Sequence, residues 1–216
     1  MSTLRREVVI PAGGVALPGS VVAPAGRPGI VVFAHGSGSS RSSPRNVQVA
    51  EALNDAGLAT LLFDLLTDEE ALDRAKVFDI GLLAERLAAA TSWVESDPEL
   101  GGLPIGYFGA STGAAAALWA AAGNHAVAAV VSRGGRPDLA APRLAGVRAP
   151  TLLIVGGDDE VVLELNRRAL ASLRCEAELV VVAGATHLFE EPGAHEEVAA
   201  LARGWFVRHL DRPRRA

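Results

Sequence analysis

The chain has 216 residues, half of them hydrophobic, and a formal net charge of -5 at pH 7. This length allows one domain with a buried core, and the negative charge argues against a nucleic-acid-binding surface. Cys175 is the only cysteine, which excludes an internal disulfide and favours a reducing compartment. The N-terminus lacks the apolar segment of a signal peptide, and no uncharged apolar run reaches membrane-spanning length. We therefore predict a cytoplasmic protein without a membrane or nucleic-acid partner.

The predicted elements begin with a hairpin and then alternate between strands and helices. Two β-type runs, 7–10 and 15–23, flank the turn residues 11–14 and predict an antiparallel hairpin. Further strands are predicted at 29–34, 58–65, 105–108, 126–132, 151–155 and 178–182. Helices are predicted at 46–56, 80–94, 163–173 and 194–210, together with an alanine-rich helix that runs through Trp119. A polar stretch at 67–76 and a frayed polar tail at 211–216 complete the chain.

This alternation predicts the fold class. Strands that alternate with helices from residue 29 onward require a mainly parallel sheet with helices on both faces. The last helix is expected to dock on the sheet through four apolar side chains: Val198, Leu201, Trp205 and Phe206. No linker, repeat or low-complexity segment divides the chain. We therefore predict a single α/β domain over residues 1–216.

Residues 105–117, IGYFGASTGAAAA, combine a short apolar strand, a sharp turn and an alanine-rich helix. A G-x-S-x-G motif in this context predicts a nucleophile elbow with Ser111 at its tip. The turn is so tight that side chains at positions 109 and 113 would clash, which accounts for Gly109 and Gly113. The alternative interpretation is a glycine-rich turn whose serine has no chemical role.

Polar residues that follow other strands can complete a catalytic site with Ser111. Ligands bind beyond the carboxyl ends of the strands in an open parallel sheet. Asp158 and Asp159 follow one strand, and His187 follows the last. A serine hydroxyl needs a histidine to take its proton, and the histidine needs a carboxylate to orient it. The chain order Ser, Asp, His is that of the α/β-hydrolase triad.

Four motifs at four strand ends carry a resemblance to a known family. They are HGSGSS at 35–40, GASTG at 109–113, GGDDEVV at 156–162 and GATHLFEEPG at 184–193. Nearly the whole chain resembles the α/β-hydrolase superfamily, and within it the dienelactone-hydrolase-like group. The resemblance implies an α/β-hydrolase fold with Ser111 as nucleophile, His187 as base and Asp159 as acid. Asp159 fits the family's Gly-x-x-Asp turn, and Asp158 is the neighbour that could be mistaken for it.

The same resemblance implies an oxyanion hole and one departure from the family. The backbone N–H groups of Ser37 and Thr112 are the expected oxyanion donors, and His35 is expected to shape the loop rather than act as a base. Dienelactone hydrolases proper use a cysteine at the elbow, whereas this chain has Ser111. Cys175 lies far from any strand end. The serine argues for ester chemistry and against a dienelactone substrate.

Arginines in two loops at the same sheet edge are candidates for substrate recognition. Arg41 and Arg133 are predicted to lie near the pocket, and we hypothesise that at least one, Arg133 first, binds an anionic part of the substrate. The alternative is that the arginines of these loops, which include Arg45 and Arg136, are surface charges or pair with carboxylates. The candidate carboxylates are Asp138, Asp159 and Glu160.

The other histidines give no metal-binding pattern. His125 is expected to cap a helix, and His195 and His209 are expected on the solvated face of the last helix. Because no pair has metal-ligand spacing, we predict no metal and no cofactor. The segment 133–150 is too short for a lid domain, so the site is expected to be open and suited to small or soluble substrates.

The sequence thus predicts a serine hydrolase that cleaves small or soluble carboxylic esters through an acyl-enzyme. Two alternatives stay open. A thioesterase or acyltransferase would use the same residues, and product analysis with a competing alcohol would separate them. A catalytically silent hydrolase fold that binds a partner would lack an activated serine. The sequence leaves the substrate unnamed and allows a monomer or a homodimer.

Overall fold

A computed structural model describes residues 2–211, and all of its strands belong to one eight-stranded sheet. The strands are β1 (Leu4–Ala12), β2 (Val15–Ala23), β3 (Ile30–Ala34), β4 (Ala59–Phe63), β5 (Ile105–Ala110), β6 (Val127–Arg133), β7 (Thr151–Gly156) and β8 (Ala177–Val182). The helices are α1 (Pro44–Asp55), α2 (Arg74–Val77), α3 (Ile80–Ser96), α4 (Thr112–Ala121), α5 (Glu160–Ser172) and α6 (Ala194–Leu210). Two 3-10 segments, Glu70–Leu72 and Pro137–Gly146, lie between them.

The sheet order is β1-β2-β4-β3-β5-β6-β7-β8. The pairs β1–β2 and β2–β4 are antiparallel, and all other pairs are parallel. Every residue of β3, β4, β5 and β7 is buried, as continuous apolar runs covered on both faces require. The predicted mainly parallel α/β fold with an N-terminal antiparallel hairpin is therefore confirmed.

The first strand of the hairpin is longer than predicted at both ends, whereas β2 has the predicted bounds. Strand β1 starts at Leu4 and continues through Pro11, which the sequence analysis had assigned to the turn. Proline is tolerated in β1 because this strand lies at the edge of the sheet, where not every N–H needs a partner. The turn itself is only Gly13-Gly14, with φ values of 56° and 86° that favour glycine.

Helices cover both faces of the sheet. The buried side chains of α1 and α6 pack on one face, and those of α3 and α4 pack on the other. Helix α6 docks as predicted, with Val198, Trp205 and Phe206 buried and Leu201 partly buried. The polar stretch 67–76 holds a 3-10 turn and most of α2 rather than irregular chain.

Two predictions about histidines are wrong. His195 and His209 are 9% and 5% exposed rather than solvated. His195 is covered because α6 packs against α1 as well as against the sheet, and the ring of His209 packs on that of Trp205. His195 accordingly donates from Nε2 to the carbonyl of Arg45 in α1, at 2.9 Å. His125 does not cap a helix either, since α4 ends at Ala121 and its C-cap residue is Ala122.

The segment 133–150 forms no lid. Its 3-10 helix packs against α4 and α5, so within the described residues nothing of domain size is inserted over the sheet edge. Within residues 2–211, no helix has both the length and the apolar character needed to cross a membrane. The frayed tail predicted at 211–216 lies almost wholly outside the described residues. The single-domain assignment stays a prediction.

Candidate active site

The turn between β5 and α4 presents Ser111 in a strained conformation. Ser111 has φ 50° and ψ -118°, in the left-handed region that non-glycine residues rarely adopt. A Cβ added at Gly109 would lie 2.4 Å from Cα of Ala114, and one added at Gly113 would lie 2.1 Å from the carbonyl oxygen of Ala34. Both glycines are therefore required sterically, as the sequence predicts. The backbone holds the serine at the carboxyl edge of the sheet.

Three side chains from three strand ends meet at this edge. The Ser111 hydroxyl lies 3.3 Å from Nε2 of His187, and Nδ1 of His187 lies 2.6 Å from a carboxylate oxygen of Asp159. A carboxylate accepts but does not donate, so Nδ1 carries the proton and Nε2 is the acceptor that faces the serine. The His187 side chain is 38% exposed, while that of Asp159 is mostly buried. The arrangement can draw a proton from the serine and stabilise the resulting imidazolium.

The structure distinguishes Asp159 from Asp158. Asp159 is the N-cap residue of α5 and points its carboxylate at His187. Asp158 is exposed, and its N–H donates to the carbonyl of Ala185 at 2.9 Å. A Cβ added at Gly156 would lie 2.3 Å from that same carbonyl, so glycine permits the close approach of the two loops. This approach brings the acid within reach of the histidine.

The predicted oxyanion donors lie side by side, but one of them is already engaged. Thr112 is the first residue of α4, so its N–H has no acceptor within the helix. The N–H of Ser37 donates to the side-chain hydroxyl of Thr112 at 2.9 Å. A substrate oxygen would therefore share or displace this bond. The side chain of Thr112 was missed by the sequence analysis because the motif assigns a role only to its backbone.

His35 is held by the loop and by a neighbouring strand end. Its Nδ1 donates to the carbonyl of Gly36 at 3.0 Å, and its Nε2 accepts from the N–H of Leu65 at 3.0 Å. Burial lowers the pKa of His35, with smaller opposing effects from the Gly36 hydrogen bond and from Asp64. Both ring nitrogens are thus used to fix the loop, in line with the structural role expected for this residue.

A cavity of about 220 Å³ opens beside the oxyanion donors. Ser37 and Thr112 line one end of it. Its lining also contains apolar side chains from α2, from α3 and from the segment between β4 and α2: Leu65, Leu66, Ala71, Val77 and Leu83. Asp64 and Asp68 are the acidic residues in the lining. The cavity thus offers a partly apolar compartment beside Thr112, the residue that follows Ser111.

The four arginines that the sequence analysis assigned to loops differ in how they are paired, and two of them lie in regular elements: Arg45 in α1 and Arg133 at the end of β6. Arg41 forms ion pairs with Glu7 at 3.0 Å and Asp64 at 3.2 Å. Arg45 pairs with Glu190 at 3.1 Å, and Arg136 pairs with Asp138 at 2.7 Å, which is one of the carboxylates that the alternative interpretation named. Arg133 is buried, and no ion pair is found for it within residues 2–211. Arg41 thus has carboxylate partners of its own, and Arg133 does not.

Cys175 lies away from this site. It precedes β8, at the amino end of the sheet, whereas the triad lies at the carboxyl end. Burial raises the pKa of the Cys175 thiol, which makes it a poor nucleophile. Within the part of the chain that the structure describes, no cluster of three or more His, Cys, Asp or Glu side chains could hold a metal ion.

Comparison with known proteins gives a family and a closely similar structure. The model of the dienelactone hydrolase family matches residues 17–210. A crystal structure of dienelactone hydrolase from Anabaena variabilis has a TM-score of 0.93 and 56% sequence identity, and the match covers 96% of this chain and 99% of that one. Est1E from Butyrivibrio proteoclasticus has a TM-score of 0.81 at 16% identity over 95% of this chain and 99% of its own, which shows a shared fold.

Curated relatives come from Mycobacterium tuberculosis H37Rv. One relative, which has the provisional name phosphoribosyl transferase, is 62% identical over 208 residues. The match covers 96% of this chain but only 47% of the relative. An uncharacterized protein is 30% identical over 231 residues, with 86% of this chain and 81% of its own length covered. This chain thus spans about half the length of the first relative. With a family model that matches residues 17–210, the chain belongs to the dienelactone hydrolase family.

Proposed function

We propose that the chain hydrolyses small, soluble carboxylic esters through a serine acyl-enzyme. The observation that carries this proposal is the continuous contact from Ser111 through His187 to Asp159, with distances of 3.3 Å and 2.6 Å. Membership of a hydrolase family supports the reaction class. The serine at the elbow, in place of a thiol, favours an oxygen ester as substrate.

In the proposed reaction, Ser111 Oγ attacks the ester carbonyl while Nε2 of His187 takes its proton. Asp159 holds the imidazole in the required tautomer and stabilises the imidazolium. The N–H of Thr112, and that of Ser37 once it turns from the Thr112 hydroxyl, donate to the tetrahedral oxyanion. His187 then gives the proton to the leaving alcohol. Water, activated by the same histidine, releases the acid and restores the serine.

The shape of the site favours a particular kind of ester. The cavity beside Thr112, at about 220 Å³, would hold one arm of the substrate against Leu65, Leu66 and Leu83. The partly exposed His187 leaves the other side open to solvent. Because no lid covers the sheet edge within the described residues, a soluble monomeric ester fits better than a lipid aggregate.

The transferase name of the 62% identical relative is not carried over to this chain. That name belongs to a protein about twice as long, and only 47% of it matches. A thioesterase or an acyltransferase would use the same triad. An acyltransferase would be distinguished from a hydrolase by faster acyl transfer to an added alcohol than to water. A thioesterase would be distinguished by faster cleavage of a thioester than of the matched oxygen ester.

The test is the mass of the intact protein after exposure to a fluorophosphonate. Wild type is expected to gain the mass of one adduct, and Ser111→Ala is expected to gain none. The control is Ser172→Ala, which removes an exposed serine of α5 and should gain the same adduct as wild type. Hydrolysis of short aryl esters should fall by about 10⁴-fold or more in Ser111→Ala. Folded wild-type protein without an adduct would refute the proposal and favour a silent hydrolase fold.

A further inference from the structure

One segment of the chain, residues 67–77, forms a wall of the cavity beside the oxyanion donors. This wall segment contains a 3-10 turn and α2, and it contributes Asp68, Ala71 and Val77 to the lining. Its apolar anchorage is weak, since Leu72 is 88% exposed and Val77 is only partly buried. Polar contacts must therefore hold the wall segment against the rest of the protein.

Glu70 is a buried residue of the wall segment and connects its two ends. The residue is 9% exposed. Its carboxylate accepts from the backbone N–H of Thr67 at 3.1 Å and from Nζ of Lys76 at 3.3 Å. The N–H of Glu70 in turn donates to the Thr67 hydroxyl at 3.2 Å, which is the reciprocal pattern of a capping box. One carboxylate thus fixes the start of the wall segment to α2.

Glu70 also ties the wall segment to the body of the protein through Arg86 of α3. Arg86 is 5% exposed, and its Nη2 donates to the Glu70 carboxylate at 3.2 Å. Its Nη1 donates to the carbonyl of Ala12, where β1 ends. The two side chains resist separation, because a buried charge that loses its partner is strongly destabilising. The pair therefore joins the wall segment to α3 and to the N-terminal hairpin.

Both members of this pair lie beside residues that line the cavity. Ala71 follows Glu70 directly, and it belongs to the lining. Leu83, which also belongs to the lining, lies three residues before Arg86 in α3 and is thus its neighbour on the helix surface. A shift of Glu70 relative to Arg86 would therefore move Ala71 relative to Leu83 and change the shape of the cavity.

We propose that Glu70 is a positioning residue: through its bond to Arg86 it fixes the shape of the cavity and so determines which length of substrate arm is bound. This inference rests on the proposed ester hydrolysis and names the part of the protein that selects the substrate. The contacts of Glu70 run to Thr67, Lys76 and Arg86, which lie outside the triad and the oxyanion donors. Glu70 therefore acts on the binding of the substrate arm and not on proton transfer.

The test measures how the enzyme discriminates between short and long substrate arms. Phenyl acetate is compared with phenyl hexanoate, and ethyl butanoate with hexyl butanoate, so that first the acyl arm and then the alcohol arm is lengthened. In Glu70→Gln, the long-to-short ratio of kcat/KM should fall about tenfold in one of the two pairs, since burial of about two methylene groups is worth this factor. The fall should come mainly from a higher KM for the long ester.

Glu164→Gln is the matched control, because it removes the carboxylate of an exposed ion pair with Arg168 in α5 and should keep the wild-type ratios. Arg86→Met should lower the same ratio as Glu70→Gln, and the double variant should lower it no further, since all three lack the same pair. If Glu70→Gln does not fold, Lys76→Met takes its place. This change removes a partly exposed donor to the same carboxylate and should lower the ratio by about threefold.

Equal losses of kcat/KM for the short and the long ester would overturn the positioning role, because they would show a general loss of structure. Unchanged ratios in both pairs would overturn it as well. In either case, wild type that labels at Ser111 with a fluorophosphonate leaves the proposed hydrolysis standing. Folded wild type without the label would overturn the hydrolysis and, with it, the positioning role of Glu70.

Discussion

Gly113→Ala is expected to lower both stability and activity, because the methyl group would collide with the loop that carries Ser37. The added Cβ would lie 2.1 Å from the carbonyl oxygen of Ala34 and 2.4 Å from that of His35. Carbon and oxygen atoms in contact are normally about 3.3 Å apart or more, so the loop must retreat by about 1.2 Å. Both obstacles are backbone atoms, which cannot rotate away.

Overpacking of this kind costs about 1–3 kcal/mol, which corresponds to a Tm lower by roughly 2–12 °C in a protein of this size. A displacement of about 1 Å at one oxyanion donor should lower kcat by about 100-fold. The matched control is Gly204→Ala in α6, where an added Cβ meets nothing within 4 Å. This exposed helical change should stabilise by about 0.5–1 kcal/mol. Circular dichroism melts measure the Tm of the two variants, and aryl-ester kinetics measure their kcat. A Gly113→Ala variant with the Tm and kcat of wild type would refute the steric argument.

Three further predictions concern the triad, the oxyanion loop and pH. Asp159→Asn should lower kcat by about 10⁴-fold with little loss of stability, because the amide holds His187 in the wrong tautomer; aryl-ester kinetics at saturation decide it. Thr112→Val should lower kcat by about tenfold or more, because Ser37 loses its tether, while Thr112→Ser should restore it; unchanged kcat in the valine variant would contradict this role. Since burial lowers the pKa of His35 below 6.5, the unfolded chain binds more protons as pH falls below 6.5, so Tm should fall there. The fall should be smaller in His35→Gln, and equal slopes would show that His35 does not contribute.

Much of the fold could be predicted because its strands are buried on both faces. Such strands read as uninterrupted apolar runs, which made β3, β4 and β7 visible within one or two residues. Their carboxyl ends share one edge, so polar residues after the strands were expected to meet there. The contact of Ser111, His187 and Asp159 follows from this topology together with the G-x-S-x-G turn.

What could not be predicted depends on contacts between elements distant in the chain. The burial of His195 requires knowing that α6 packs against α1 as well as against the sheet. The bond between the Ser37 amide and the Thr112 hydroxyl joins residues 75 positions apart. The sequence shows that Arg133 follows a strand, but not that its counter-charge is missing, since Arg136, only three residues on, has Asp138 beside it.

Several features that lower the stability of this protein lie at the carboxyl edge of the sheet. In residues 2–211, Ser111 and Phe189 are the non-glycine residues with positive φ, at 50° and 56°, and each such conformation costs about 1–3 kcal/mol. Phe189 follows His187 by two residues. Arg133, at the end of the strand next to β5, is buried, and no ion pair is found for it in residues 2–211. A sequence selected for stability alone would have glycine at the two positions with positive φ and an apolar residue in place of Arg133. Their coincidence near Ser111 and His187 supports the proposed chemistry at this edge of the sheet.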